Sequence, residues 1–80
     1  MDPILGEIDL FAFNFNPVNW MECAGQTLSI ATYSTLYSLI GTKFGGDGST
    51  NFRLPDLRRA ALFLNAKYYI SLSGEYPPHS

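Results

Sequence analysis

A glycine-rich stretch at residues 45–59, GGDGSTNFRLPDLRR, is the first place in the chain to look for a bound ligand. A phosphate-binding P-loop needs a lysine and then Ser or Thr directly after its second glycine, but Ser49 follows Gly48 with no lysine. A calcium loop needs oxygen side chains at alternate positions and a distal glutamate. Asp47, Ser49 and Asn51 keep that spacing, but the glutamate is missing. The stretch therefore favours a turn in which glycines supply positive φ angles, while a weakly held surface ion stays an alternative.

Histidine and cysteine are too few to build a catalytic or metal centre by themselves. His79 is the single histidine, close to the end of the sequence, and Cys23 is the single cysteine, so no internal disulfide can form. A zinc site within one subunit needs more ligands, although a ring of His79 residues from symmetry-related copies stays open. Cys23 and His79 lack a third group to orient the base. We expect no catalytic residues, no metal site and no cofactor.

Three arginines, Arg53, Arg58 and Arg59, form the local cluster of cations. Such a cluster can bind phosphates or acidic sugars. Alternatively, one arginine pairs with Asp56 or Asp47, or with a carboxylate of a neighbouring subunit, and the others face water. The sequence favours pairing, and it keeps Arg58 and Arg59 as candidate contacts to a partner or a glycan.

Overall charge argues against several classes of partner. The formal net charge is −2 and the pI is near 5.0, so neither nucleic acid nor an anionic membrane is attracted globally. No stretch approaches the roughly 20 apolar residues of a membrane span, and residues 1–7 lack the features of a signal peptide. We therefore expect no nucleic-acid partner and no membrane insertion. The single cysteine favours folding in a reducing cytosol.

The chain is rich in large apolar side chains for its length. Of its 80 residues 46% are hydrophobic and only 15% are charged, so part of the apolar surface is expected at a subunit interface. The candidates for the core or an oligomer interface are Phe11, Phe13, Trp20, Tyr33, Tyr37, Phe52, Leu54, Tyr68 and Ile70. Tyr76 falls outside the strand pattern, which makes it a third candidate contact to a partner or a glycan.

Local patterns predict a small, loop-rich α+β domain with short antiparallel strands and one short helix. Apolar residues at i, i+3, i+4 and i+7 predict the helix at about residues 32–40, with Gly41 as its terminator. Alternation or extended sequence predicts strands near residues 6–13, 27–30, 52–54 and 68–73. Thr32 or Ser29 is the expected cap of the helix.

Several ordered motifs resemble those of the phage tail collar domain family, which includes bacterial proteins called microcystin-dependent. They are MDPILGEIDLFAFNFNPVNW, CAGQTLSI, TLYSLIGTKFGGDG and TNFRLPDLR, and the resemblance extends over residues 1 to about 59. The segment LNAKYYISLSGEYPP is similar to the carboxy-terminal end of longer members. We therefore interpret residues 1–80 as one shortened domain, with a collar module at 1–59 and a strand segment at 60–80. Ala31 stands where a capping serine is common in the family, which should weaken the helix start by about 1 kcal/mol unless Thr32 takes over the role.

The resemblance implies a non-enzymatic structural component of a phage tail or a phage-tail-like particle. It implies an oligomeric tail-tip or fibre-base subunit, with a trimer expected, that contacts other tail or baseplate proteins. Its place is the tail of the virion, after assembly in the host cytoplasm. The alternative is a small adhesin whose Arg58, Arg59 and Tyr76 bind a host surface glycan. A wall-degrading hydrolase, which needs an acid/base pair or a metal, is the least favoured class.

Overall fold

Five short strands and one helix make up the regular structure. The computed structural model describes residues 3–12, 14 and 17–78. Its elements are β1 (Ile8–Ala12), β2 (Trp20–Glu22), β3 (Thr27–Ser29), α1 (Ser34–Ile40), β4 (Asn51–Arg53) and β5 (Ala66–Ser71). The strands form a three-stranded sheet, β1-β5-β2, and a two-stranded sheet, β3-β4, and every pairing is antiparallel. The predicted α+β class with short antiparallel strands and one short helix is confirmed.

Strand β5 lies in the centre of the larger sheet. Ile70 pairs with Ile8 of β1 on one side and with Met21 of β2 on the other. Alternation of apolar and polar residues is typical of a strand with one face in water, but Tyr69 and Ser71 are buried as well as Ile70. Both faces of β5 are covered, because Ile70 lies in the core on one face and the Phe11 ring packs against Tyr69 on the other. The sequence pattern could not show this, because it depends on which strands pair.

Several element boundaries differ from the predictions by one to two residues. The helix spans Ser34–Ile40 rather than residues 32–40, because Tyr33 is its N-cap. No side chain caps the helix, so the prediction that Thr32 or Ser29 would do so is wrong. Strand β2 was not predicted, because Trp20–Glu22 shows no alternation of apolar and polar side chains.

The core lies where α1 meets both sheets. The buried apolar cluster consists of Leu5, Cys23, Leu28, Leu36, Phe52, Leu54 and Ile70. The two chain ends that the structure describes are joined beside it: Leu5 N–H donates to the Glu75 carbonyl at 2.8 Å, and Glu75 N–H donates to the Pro3 carbonyl at 3.1 Å. No helix in residues 3–12, 14 and 17–78 is long and apolar enough to cross a membrane.

Candidate functional site

The glycine-rich loop between α1 and β4 is organised around one carboxylate. Asp47 Oδ1 accepts backbone N–H bonds from Ser49 and Thr50 at 2.8 Å and from Asn51 at 3.1 Å. Asp47 Oδ2 accepts the Thr50 hydroxyl at 2.8 Å and the Asn51 amide at 3.3 Å. These bonds, led by the one from the Thr50 N–H, hold the pKa of Asp47 well below its usual range. Both carboxylate oxygens are engaged by donors of the loop itself, an arrangement that favours a turn over an ion site.

The three glycines of this loop have the positive φ angles that the turn interpretation requires. The angles are +124° at Gly45, +102° at Gly46 and +75° at Gly48. Gly46 also lies against β4: a Cβ atom there would stand 2.4 Å from the Phe52 Cα atom. The Tyr37 hydroxyl donates to the Gly48 carbonyl at 3.3 Å and joins the loop to α1. The loop is therefore a tightly packed connection between α1 and β4.

Two of the three arginines are held by other parts of the chain. Arg53 donates from Nε and Nη2 to the Gly25 carbonyl at 3.1 and 2.9 Å. Arg58 forms a bidentate ion pair with Asp56, in which Nε donates to Oδ1 at 3.0 Å and Nη2 donates to Oδ2 at 2.7 Å. This pair, chiefly through its side-chain hydrogen bond, lowers the pKa of Asp56 to about 2. Of the two carboxylates considered from the sequence, Asp56 rather than Asp47 is therefore the partner.

Arg59 and Tyr76, the remaining candidate contacts, have different surroundings. The Arg59 guanidinium is exposed and makes no hydrogen bond or ion pair with any residue that the structure describes. Tyr76 is 43% exposed, and its hydroxyl lies 3.2 Å from the Ser38 hydroxyl on α1. Arg59 is therefore the more readily available of the two for a partner.

The apolar candidates divide between the core and the outer face of the larger sheet. Phe52, Leu54 and Ile70 lie in the core, and Tyr33, Tyr37 and Tyr68 pack against it. On the other face the Phe11 ring meets Trp20 and Tyr69 edge to face, with centroids 5.1 and 5.5 Å apart. Phe13 and His79 lie outside the described residues.

Sequence reasoning missed an exposed apolar segment between β4 and β5. Leu62, Phe63 and Leu64, called the apolar tip below, are 66%, 93% and 51% exposed. They lie in a run of turns: Leu62 N–H donates to the Arg59 carbonyl at 3.3 Å, and Leu64 N–H donates to the Ala61 carbonyl at 3.1 Å. In the sequence, this run reads as an extension of the strand that follows. One signal argued against that interpretation: the alternation of side chains that is typical of a strand begins only at Tyr68.

A cavity of about 250 Å³ adjoins the apolar tip and is called the groove below. Its lining consists of Glu22, Cys23, Arg58, Ala61, Leu62, Asn65, Ala66, Lys67 and Tyr68. Burial, together with the charge of Glu22, raises the pKa of the Cys23 thiol to about 11, so the thiol stays protonated at neutral pH. The Lys67 ammonium lies 3.9 Å from a Glu22 carboxylate oxygen. The groove thus combines apolar lining with charged side chains, and Leu62 belongs to both the groove and the tip.

In residues 3–12, 14 and 17–78, no three His, Cys, Asp or Glu side chains are grouped so that they could hold a metal ion.

The Phage Tail Collar Domain family model matches residues 6–62, more than half of the chain, and confirms the resemblance found from the motifs. The match takes in β1 to β4, α1 and the beginning of the apolar tip. No curated protein and no solved structure matches the chain. The chain therefore belongs to the phage tail collar domain family.

Proposed function

We propose that this phage tail protein is a homo-oligomeric subunit of the tail tip or of the base of a fibre. In this proposal it assembles in the host cytoplasm, associates as a trimer and contacts other tail or baseplate proteins. Family membership supports the tail context, because the collar domain is a structural family rather than a class of enzymes. Self-association rests on a feature of this chain, namely the exposed apolar tip.

The apolar tip is the observation that carries the proposal. Single exposed apolar residues are ordinary on protein surfaces. Three consecutive large ones, with a phenylalanine 93% exposed at their centre, are instead typical of a surface that a protein partner covers. Burying them between subunits removes this apolar area from water, which is the main favourable term in association.

A catalytic role finds little support in the groove, although Cys23 lines it. Nucleophilic cysteines are accessible and have lowered pKa values, because the thiolate is the reactive form. Cys23 is buried, and its pKa is raised to about 11. The family and the chemistry of this thiol both favour a structural role.

Two measurements test the proposal. Sedimentation velocity of the purified protein across a wide concentration range should give a mass of at least twice the 8.9 kDa of a single chain. A monomer at every concentration contradicts self-association. Immunogold electron microscopy with antibodies against this chain should label the tail tip or the base of the fibres, and particles without label on the tail contradict the tail location.

The alternative is an adhesin that uses Arg59 and Tyr76 to bind a surface glycan. Exposure of the Arg59 guanidinium favours it, whereas the hydrogen-bonding contact of Tyr76 with Ser38 does not. Arg59→Ala and Tyr76→Ala separate the two functions. Loss of binding to host cells by intact particles supports the adhesin, and loss of particle assembly supports the structural role.

A further inference from the structure

We infer that the apolar tip of one copy docks into the groove of a second copy, an inference that rests on the self-association proposed above. Phe63 is 93% exposed, so its ring lies outside the groove of its own chain. Ala61, which precedes the tip, is buried, and Arg58 is held by Asp56. The segment that leads into the tip is therefore anchored while the tip itself faces water.

The groove suits an aromatic side chain better than a free small molecule. Its volume of about 250 Å³ lies below the roughly 300–1,000 Å³ that is usual for small-molecule sites. Cys23 with its protonated thiol, Ala66 and Tyr68 supply apolar lining. A phenylalanine inserted from outside would find apolar contacts there without leaving a buried charge unpaired.

The position of the tip beside the groove favours a second copy as the partner. Since Leu62 belongs to both, the two features form one continuous patch. A patch that contains both a protruding group and its receptor is self-complementary, so copies related by a rotation axis can each insert a tip and receive one. This holds for a two-fold assembly and for a three-fold one.

Charge complementarity supports the same contact. Arg59 precedes the tip and has no described ionic partner, whereas Glu22 lines the groove. The ion pair of Glu22 with Lys67, at 3.9 Å, is long. When the tip of one copy enters the groove of another, Arg59 comes close to Glu22 of the second copy.

A lipid surface is a weaker candidate for covering the tip. Of the neighbouring cations, Arg58 pairs with Asp56 and Lys67 lies near Glu22, which leaves Arg59. One cation is far fewer than the clusters of about 4–8 that bind anionic lipid surfaces. The chain as a whole has a formal net charge of −2, which opposes that attraction.

The area of the tip indicates a central part of an interface rather than all of it. A phenylalanine buries about 150–250 Å², while a stable interface needs about 800 Å² from each partner. Phe63 with its two leucine neighbours therefore supplies a substantial fraction, and the surroundings of the groove supply more. Buried aromatic anchors of this kind carry a large share of the binding energy.

Phe63→Ser tests the inference, with Val18→Ser as its matched control. Val18 is 83% exposed, lies in the loop before β2 and does not line the groove. Phe63→Ser should raise the concentration needed for half-association at least about tenfold, which corresponds to about 1.4 kcal/mol, because truncating a central aromatic anchor costs at least that much. Val18→Ser should leave it unchanged. Circular dichroism and thermal melting check that both variants keep the fold.

The outcomes separate this inference from the proposed function. If wild type associates and Phe63→Ser associates equally well, the tip contact is overturned and the structural role stands. If Val18→Ser dissociates the protein as strongly as Phe63→Ser, the assignment to the tip is overturned. If wild type is a monomer at every concentration, self-association itself fails and this inference fails with it.

Cross-linking locates the receptor of the tip. Benzoylphenylalanine placed at position 63, in a mixture of isotope-labelled and unlabelled chains, should cross-link to residues 22–23 or 65–68 of a different copy. Cross-links between copies that fall mainly elsewhere overturn the inference.

Sedimentation with phosphatidylglycerol vesicles tests the lipid alternative. Vesicle binding that Phe63→Ser abolishes and that competes with self-association also overturns the inference.

Discussion

Replacing Gly46 with alanine should severely destabilise the fold. Gly46 has a φ angle of +102°, in a region that non-glycine residues rarely adopt. The new Cβ atom would lie 2.4 Å from the Phe52 Cα atom and 2.8 Å from the Asn51 carbonyl oxygen. Both obstacles are backbone atoms, and Phe52 is fully buried in a strand paired with Leu28. The clash cannot be relieved by rotating a side chain.

The magnitude follows from two contributions. An unfavourable backbone conformation costs about 1–3 kcal/mol, and overpacking costs about another 1–3 kcal/mol. Together these give about 2–6 kcal/mol, against a total stability of about 4–12 kcal/mol for a domain of 80 residues. Gly41→Ala is the matched control, because Gly41 also has a positive φ, +55°, but no atom lies within 4 Å of the place that a Cβ atom would take there.

Urea unfolding followed by the fluorescence of Trp20 measures the free energy of unfolding of each variant at equal protein concentration. We expect Gly46→Ala to lose about 1–3 kcal/mol more than Gly41→Ala, because only Gly46→Ala adds overpacking. Equal losses for the two variants refute the argument that close packing of this loop on β4 holds the connection in place.

The ionisable groups and the loop carboxylate lead to three further predictions. The Asp56 carboxyl should titrate with a pKa of about 2 by NMR, and Arg58→Ala should return that pKa toward its ordinary value. Because folding lowers this pKa, the ionised Asp56 adds a small stabilisation of the folded state above about pH 4. That stabilisation is lost as the pH falls through about 2. The Cys23 thiol should react with dithionitrobenzoate in urea but not in the folded protein, because it is buried and its pKa is about 11. Reaction of the folded protein at the unfolded rate contradicts this. Asp47→Ala should lower the urea midpoint of unfolding, whereas Ser49→Ala should leave it unchanged. The reason is that the Asp47 carboxylate organises the loop, while Ser49 contributes only its backbone N–H. Equal midpoints for the two variants contradict this prediction.

Local pattern was enough for the features that depend on neighbouring residues. The spacing of Tyr33, Leu36, Tyr37 and Ile40 predicted α1 to within two residues at its start. The glycines of the loop before β4 predicted positive φ angles, because backbone freedom is a property of the residue itself. The ordered motifs were also sufficient to predict the family.

Tertiary structure decided which apolar residues are covered. Leu5 and Cys23 belong to the core, although neither stands in a periodic pattern, because chain segments distant in sequence close around them. The tip residues Leu62 and Phe63 are as apolar as any core pair, yet they are exposed because the chain turns before β5 joins the sheet.

The sequence by itself thus determined the class of fold, the helix, the turns and the family of this protein. The class of fold, the helix and the turns follow from short-range spacing and from the conformational range of individual residues, whereas the family follows from the resemblance of the ordered motifs. Only the tertiary structure placed the apolar tip beside the groove and left Arg59 without a described partner. The reason is that exposure depends on pairing between residues far apart in the chain, such as Cys23 and Tyr68, whose backbone groups are hydrogen-bonded at 2.9 Å.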